Sequence, residues 1–219
     1  MEAGAEAKRA ESAQRELDRV GAFSDGVFAV AITLLVLNIE VPSVSDAGEL
    51  KEALDELIPD LTAYFIAFAV IGLFWYGHHR AWSRFTRTTP KLVWSNMLLL
   101  SLIALMPFTT ALMGRYNESG DEIAVILYAL NVGLASCADS YVDKVAFDEG
   151  IVVGMTAAER RAQVVTGWLR PAIFFVSIPI GLITGSAAVA QFFWLTLLLL
   201  RGVGRRVEQR VAAQEAGSP

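Results

Sequence analysis

The chain has 219 residues, of which 54% are hydrophobic and only 19% charged, with a mean hydropathy of +0.47. The apolar residues come in runs of about 20, enough at ~1.5 Å per residue to cross a ~30 Å hydrocarbon core, which excludes an ordinary soluble domain. The net charge of −5 identifies no partner, because the sidedness of the charges matters more than their sum, and the single cysteine, Cys137, excludes an intrachain disulfide.

Residues 1–18 are rich in Ala, Glu and Arg and lack an apolar core, so they read as a cytoplasmic tail, either frayed helix or disordered. The first apolar segment, about 20–40, follows Arg19 and carries Phe23-Ser24-Asp25 near its start. A carboxylate at the edge of a membrane span is expensive to desolvate, so Asp25 invites a functional reading. The segment's length and its Asp also argue against the cleaved core of a signal peptide. On a helical wheel, Phe23, Val27, Val30, Leu34, Leu37 and Val41 form one apolar stripe. Thr33 flanks that stripe. Asp25 falls on the opposite side, with Phe28, Ala29, Ile32, Leu35 and Val36. Taken alone, the stripe suits lipid and a pore equally, since both accept aliphatic side chains.

Residues 46–58 read as a short amphipathic helix with Ala47, Leu50, Leu54 and Leu57 on one face. Further apolar segments occupy about 59–79, 91–113, 122–140, 165–185 and 187–203, which brings the span count to six. The Gly185-Ser186 break joins the last two as a tight helical hairpin, and Pro171 and Pro179 are expected to kink the fifth. Cys137, in an apolar run beside Ala and Ser, reads as a buried small filler. With six spans, 16 of the 18 Lys and Arg fall on one side, and only Lys51 and Arg115 on the other. The positive-inside rule then puts both termini in the cytoplasm of a multi-pass plasma-membrane protein. The outer loops are acidic, with Glu40, Asp46, Glu49, Glu52, Asp55, Glu56 and Asp60 in the first and Glu118, Asp121 and Glu122 in the second. They read either as solvated surface or as a negative vestibule that concentrates cations.

No Gly-rich phosphate loop, metal-ligand cluster, nucleophile elbow or Thr-Val-Gly-Tyr-Gly carbonyl filter is present. The chain is therefore not read as an enzyme, and no cofactor or tightly bound metal is expected. What remains is a polar set at the cytoplasmic ends of three spans: Arg19, Ser24 and Asp25 on the first, His78 and His79 on the second, Trp94 and Asn96 on the third. At similar depth, Asp25 can accept from a His ring, the Trp indole or the Asn amide, which would offset the desolvation of its carboxylate. The set either bolts the first helix to its bundle or relays protons through Asp25 and His78 or His79. His78-His79 is a poor metal pair, because adjacent residues point to different faces and no third ligand accompanies them.

Arg19, the Phe23-Ser24-Asp25 triplet and the GVFAVAITLLVLNIEVP run after it resemble the prokaryotic branch of the transmembrane protein 175 (lysosomal potassium channel) family. The His in the second span, with Trp and Asn in the third, is similar to that family's partner set. The six-span count extends the likeness over nearly the whole chain. The resemblance implies an all-α integral membrane protein, a homotetramer of six-helix subunits in which the first helix of each lines one central pore. It implies a potassium-permeable leak channel whose selectivity comes from side chains. The hydrophobic constriction then falls on Val30, Leu34 and Leu37, and the pore-facing Thr on Thr33. Val30 departs from the Ile or Leu usual at the tightest level. In that frame the chain divides into a cytoplasmic N-terminal tail over 1–18, a six-helix transmembrane channel domain over 19–207 and a cytoplasmic C-terminal tail over 208–219. The implied partners are further copies of the chain, the lipid bilayer and monovalent cations, with no nucleic acid. The rival is a proton-conducting channel or proton-coupled transporter using Asp25 and His78 or His79, with Asn131, Ser177 and Thr196 as midplane polar groups. A membrane scaffold without flux is the third reading.

Overall fold

Backbone N–H and C=O groups in hydrocarbon have no water to bond, so long apolar runs close their hydrogen bonds within helices. A computed structural model describes residues 2–44, 46–116 and 122–184, together with residues 189, 193 and 194. The elements are α1 (Glu2–Leu34), a 3-10 turn (Leu35–Asn38), α2 (Ala47–Glu56), α3 (Ile58–Trp82), α4 (Pro90–Tyr116), α5 (Glu122–Asp148) and α6 (Ala157–Thr184). All but α2 belong to the five segments long and apolar enough to cross a membrane. The protein is thus an all-helical, multi-span integral membrane protein. Most of the expected sixth span, its Gly185-Ser186 hairpin and the 208–219 tail lie outside the described residues.

Helix α1 departs from expectation at both ends. It begins at Glu2, so the residues read as a frayed or disordered tail continue the first span as helix. Strong helix formers dominate there, and Gln14 to Asp18 (2.8 Å) and Arg15 to Glu11 (2.5 Å) pair one turn apart. At the other end the α-helix stops at Leu34, the 3-10 turn follows, and Ile39 is extended (φ −92, ψ 107). Val41 therefore leaves the helical stripe. The later spans also run past their apolar segments. Helix α5 continues to Asp148. Helix α6 starts early because Thr156 and Glu159 exchange hydrogen bonds of 3.2 and 2.8 Å as a capping box. It then runs on through Pro171 and Pro179. The predicted amphipathic helix is α2, capped by Asp46. The backbone N–H groups of Glu49 and Gly48 hold that carboxyl below its ordinary pKa.

The spans pack as two groups that share α4: α1, α3 and α4 on one side, α4, α5 and α6 on the other. Lipid supplies no hydrophobic drive between helices, so close fit through small residues matters. Ala63, Ala67 and Ile71 mark the buried edge of α3 at one residue per turn. The Phe175 ring of α6 comes within 2.8 Å of where a Cβ would stand at Gly133 of α5. Helix α5 is the most enclosed span, with 67% of its apolar window buried against 22% for α1. Thus α5 is a core element, whereas α1 keeps most of its surface for other contacts. Two carboxylates on α5 are partnered by α6: Asp139 pairs with Arg170 (3.0 Å), and Asp143 accepts from Gln163 (2.8 Å). Cys137 is half-buried rather than buried.

The two groups are also tied at their loops. Thr86 donates to the Ile151 carbonyl and Val153 to the Arg84 carbonyl, each at 3.0 Å, flanking an antiparallel bridge between Phe85 and Val152. Gly150 and Gly154 bracket this bridge in the left-handed region, at φ 64 and 70. No atom would meet a Cβ at either position, so a side chain would cost only the backbone conformation. Replacing either by Ala is expected to destabilise the protein by about 1–2 kcal/mol, with Asn the milder replacement because it tolerates that region. Thermal unfolding in detergent checks this; a double Ala variant that melts with the wild type would contradict it.

Candidate pore-lining site

On α1 and the turn after it, Leu17, Ser24, Phe28, Ala31 and Leu35 are buried. Their spacing of three, four and seven residues marks one helical face, turned toward α3 and α4. The apolar stripe lies on a different face. Val30 is 57% exposed, Leu34 41% and Leu37 73%, so the subunit's own helices do not cover them. Phe23 and Thr33 are exposed as well. Leu37 belongs to the 3-10 turn. At three residues per turn, side chains three apart eclipse, so Leu34 and Leu37 share one line along the axis. Thr33 Oγ1 donates to the carbonyls of Ala29 and Val30, both at 2.9 Å. Its hydrogen is thereby spent on the helix, and the oxygen remains an exposed acceptor.

A buried hydrogen-bond chain holds α1 to its neighbours. Ser24 Oγ donates to the Val20 carbonyl (2.9 Å) and accepts from Asn96 Nδ2 (2.9 Å). The Asn96 oxygen therefore faces His78 Nε2, at 3.0 Å, and the protonated nitrogen of the ring is Nε2. Nδ1 of His78 is buried and makes no hydrogen bond. The His78 ring stacks on Trp82 (centroids 4.9 Å, 15°) and tilts against Phe28 (5.5 Å). Trp82 Nε1 in turn donates to the Leu17 carbonyl at 3.2 Å. The indole approaches Gly21 to 3.0 Å of a would-be Cβ, which is why a glycine suits that position.

The polar set from the sequence thus divides. Ser24, His78 and Asn96 meet in the interior. Asp25 bonds neither His nor Asn96; it sits at the exposed rim and accepts from Trp75 Nε1 at 2.9 Å. His79 is exposed and stacks on Trp75 (5.5 Å, 24°). Trp94 is 75% exposed and makes no part of the network. Its neighbours Leu92, Ser95, Asn96 and Leu99 mark the buried face of α4, and Trp94 lies about 200° around the helix from Asn96. Arg19 and Phe23 are exposed on α1, apart from the buried chain. Trp75 and Trp82 were missed in the sequence, although both lie about one turn from the His pair on the same helix.

At the far end, Asn38 Nδ2 donates to the Pro107 carbonyl of α4 at 2.9 Å. Glu40 pairs with Arg115 (2.5 Å), so one carboxylate of the acidic segment between α1 and α3 is matched by a basic residue. The midplane polar groups sit inside the second helix group. Asn131 donates to Thr109 (3.2 Å), while Ser177 donates to the Phe174 carbonyl (2.6 Å) and accepts from Trp194 (3.0 Å). Thr196 lies outside the described residues. Among the described residues, no group of three His, Cys, Asp or Glu side chains could hold a metal ion.

Together these features define a multi-span helical membrane protein whose first span is bolted to its bundle on one face and bare on another. The chain belongs to the TMEM175 family: residues 19–107 match the family described as the endosomal/lysosomal potassium channel TMEM175. It is similar to the crystal structure of a lysosomal potassium-selective channel TMEM175 homolog from Chamaesiphon minutus, with 30% identity and a TM-score of 0.74 over 87% of this chain and 98% of that one. A potassium channel of Streptomyces collinus is 41% identical over 117 residues, 52% of this chain and 57% of that protein. The endosomal/lysosomal proton channel TMEM175 of Gallus gallus is 40% identical over 118 residues, 50% of this chain and 24% of that protein. In sequence, then, this chain spans little more than half of the Streptomyces protein and about a quarter of the Gallus one.

The buried chain predicts a ranking of stabilities. Asn96→Ala leaves Ser24 and His78 with unmet polar groups in an apolar interior, at a cost of about 1–3 kcal/mol. Asp25→Asn keeps an oxygen for the exposed Trp75 indole and is expected to cost well under 1 kcal/mol. Melting temperatures of the two variants in one detergent check the order, and an Asp25→Asn variant less stable than Asn96→Ala would reverse it.

Proposed function

We propose that the chain is one subunit of a homotetrameric, potassium-permeable leak channel of the plasma membrane, with both termini cytoplasmic and α1 lining the pore. The observation that carries this reading is the bare stripe of Val30, Leu34 and Leu37 on the helix where the family match begins. Four copies around an axis turn each of these residues into an apolar ring. Such rings narrow a pore and close it by dewetting, without a carbonyl filter. Val30 makes the smallest ring, and its extra room favours conduction over tight closure. Thr33, one position from Leu34, brings four exposed hydroxyl oxygens that can replace part of a cation's hydration. The outer carboxylates raise the local cation concentration. Permeant K+ is the transported ion, no cofactor is needed, and no enzymatic chemistry is assigned.

The proton-relay alternative needs Asp25 and a His to share a path. Asp25 is bonded to Trp75, His78 is 3% exposed and bonded to Asn96, and His79 stacks at the rim. These separate partners favour a bolt over a wire. The resemblance to relatives named as proton channels makes proton flux a necessary control.

A test follows from the rings. Leu34→Ser and Leu37→Ser, reconstituted in liposomes, are expected to raise K+ flux several-fold and to weaken discrimination against Na+, because a hydroxyl ring stays wetted. Flux unchanged from wild type in both variants would overturn the assignment of the pore face.

A further inference from the structure

The outer end of the pore helix is a 3-10 turn, Leu35–Asn38, and this element is intrinsically weak. Its hydrogen bonds are poorly aligned, and it competes with continuation of the α-helix. Two side chains anchor it to the rest of the subunit. Leu35 is fully buried. Asn38, the only polar residue of the turn, donates from Nδ2 to the Pro107 carbonyl of α4 at 2.9 Å. The acceptor is well fixed, since Pro107 is buried inside α4. Between the two anchors stands Leu37, 73% exposed and three residues on from Leu34.

The turn geometry decides where Leu37 points. In a 3-10 turn, three residues advance a side chain by a full circle, so Leu37 eclipses Leu34. In an α-helix the same three residues advance it by about 300° with a shorter rise, so Leu37 would swing off that line by about 60° and move by about 1.5 Å along the axis. A shift of that size is large against the width of an apolar constriction.

From this we infer that Asn38 is a positioning residue for the outer constriction: its hydrogen bond to the Pro107 carbonyl keeps the turn wound as 3-10 and so holds the Leu37 ring in line with the Leu34 ring. The inference rests on the leak-channel reading for its functional consequence, but the placement of Leu37 can be read without any flux.

Two measurements test it. The first is the ratio of K+ to Na+ flux in liposomes for Asn38→Ala and for Asn38→Leu, which keeps the branching of the side chain and removes the donor. One neutral hydrogen bond shifts a conformational equilibrium about fivefold, and a fall in the flux ratio of that order is expected in both variants. The second is the rate at which a water-soluble methanethiosulfonate modifies Leu37→Cys, in a Cys137→Ser background, with and without Asn38→Leu. Loss of the anchor is expected to slow that reaction about fivefold as the thiol turns away from the pore. If Asn38→Ala does not fold, Asn38→Leu carries both measurements. A folded Asn38→Leu protein with the wild-type flux ratio and an unchanged modification rate overturns the inference. A wild-type protein that carries no K+ flux overturns the leak-channel reading instead, and the modification rate then decides the role of Asn38 by itself.

Discussion

The placing of α1 depends on one short chain of hydrogen bonds, from Ser24 through Asn96 to His78, buried between α1, α4 and α3. In lipid, apolar helix faces have no reason to prefer each other over acyl chains, so a polar contact that lipid cannot satisfy gives direction to the packing. The chain places α1 against α3 and α4 at one rotation. That rotation leaves Val30, Leu34 and Leu37 uncovered. Turning α1 to bury the aliphatic stripe would expose Ser24 to lipid and strand Asn96 and His78. The bare stripe is therefore a consequence of where the polar residues are satisfied.

Aromatic packing extends this hold toward the loops that follow α3 and α5. His78 stacks on Trp82, and Trp82 packs on Phe85 (centroids 5.2 Å). Phe85 forms the bridge to Val152 in the loop between α5 and α6. The second helix group, which carries no candidate pore residue, thus reaches α1 through a continuous series of contacts. At the opposite end, Asn38 and the Glu40–Arg115 pair fasten the same strand of chain to α4. The apolar part of the helix is held near both its ends, and the stripe lies between them.

Much of this was legible in the residues. Apolar run lengths and the partition of Lys and Arg imply membrane spans, and the Phe23-Ser24-Asp25 motif with its Ile-Thr-Leu-Leu-Val-Leu run pointed to the family. The wheel separated the stripe from Asp25 correctly, because α1 is regular as far as Leu34. It failed at Val41, which lies beyond the end of the helix, since hydropathy does not register where a helix changes type and stops. The polar set was half right for a related reason. Depth along the membrane follows from counting residues, whereas rotation about each helix axis follows from the packed neighbours. Asn96 and Trp94 share a depth but face opposite ways, and Trp75 took the place by Asp25 for which a His ring, the Trp94 indole and the Asn96 amide were the candidates.

The sequence by itself determined that this is a multi-span helical membrane protein, its family, and which helix carries an uninterrupted aliphatic stripe. These are properties of local composition and period, and hydrocarbon enforces them on any such chain. Only the tertiary structure decided which carboxylate, ring and amide meet. It also decided that α1 runs from Glu2, that its far end is wound as a 3-10 turn anchored by Asn38, and that the stripe is bare. Those features depend on how each helix is rotated about its axis. Rotation is set by a few buried polar bonds between residues far apart in the chain.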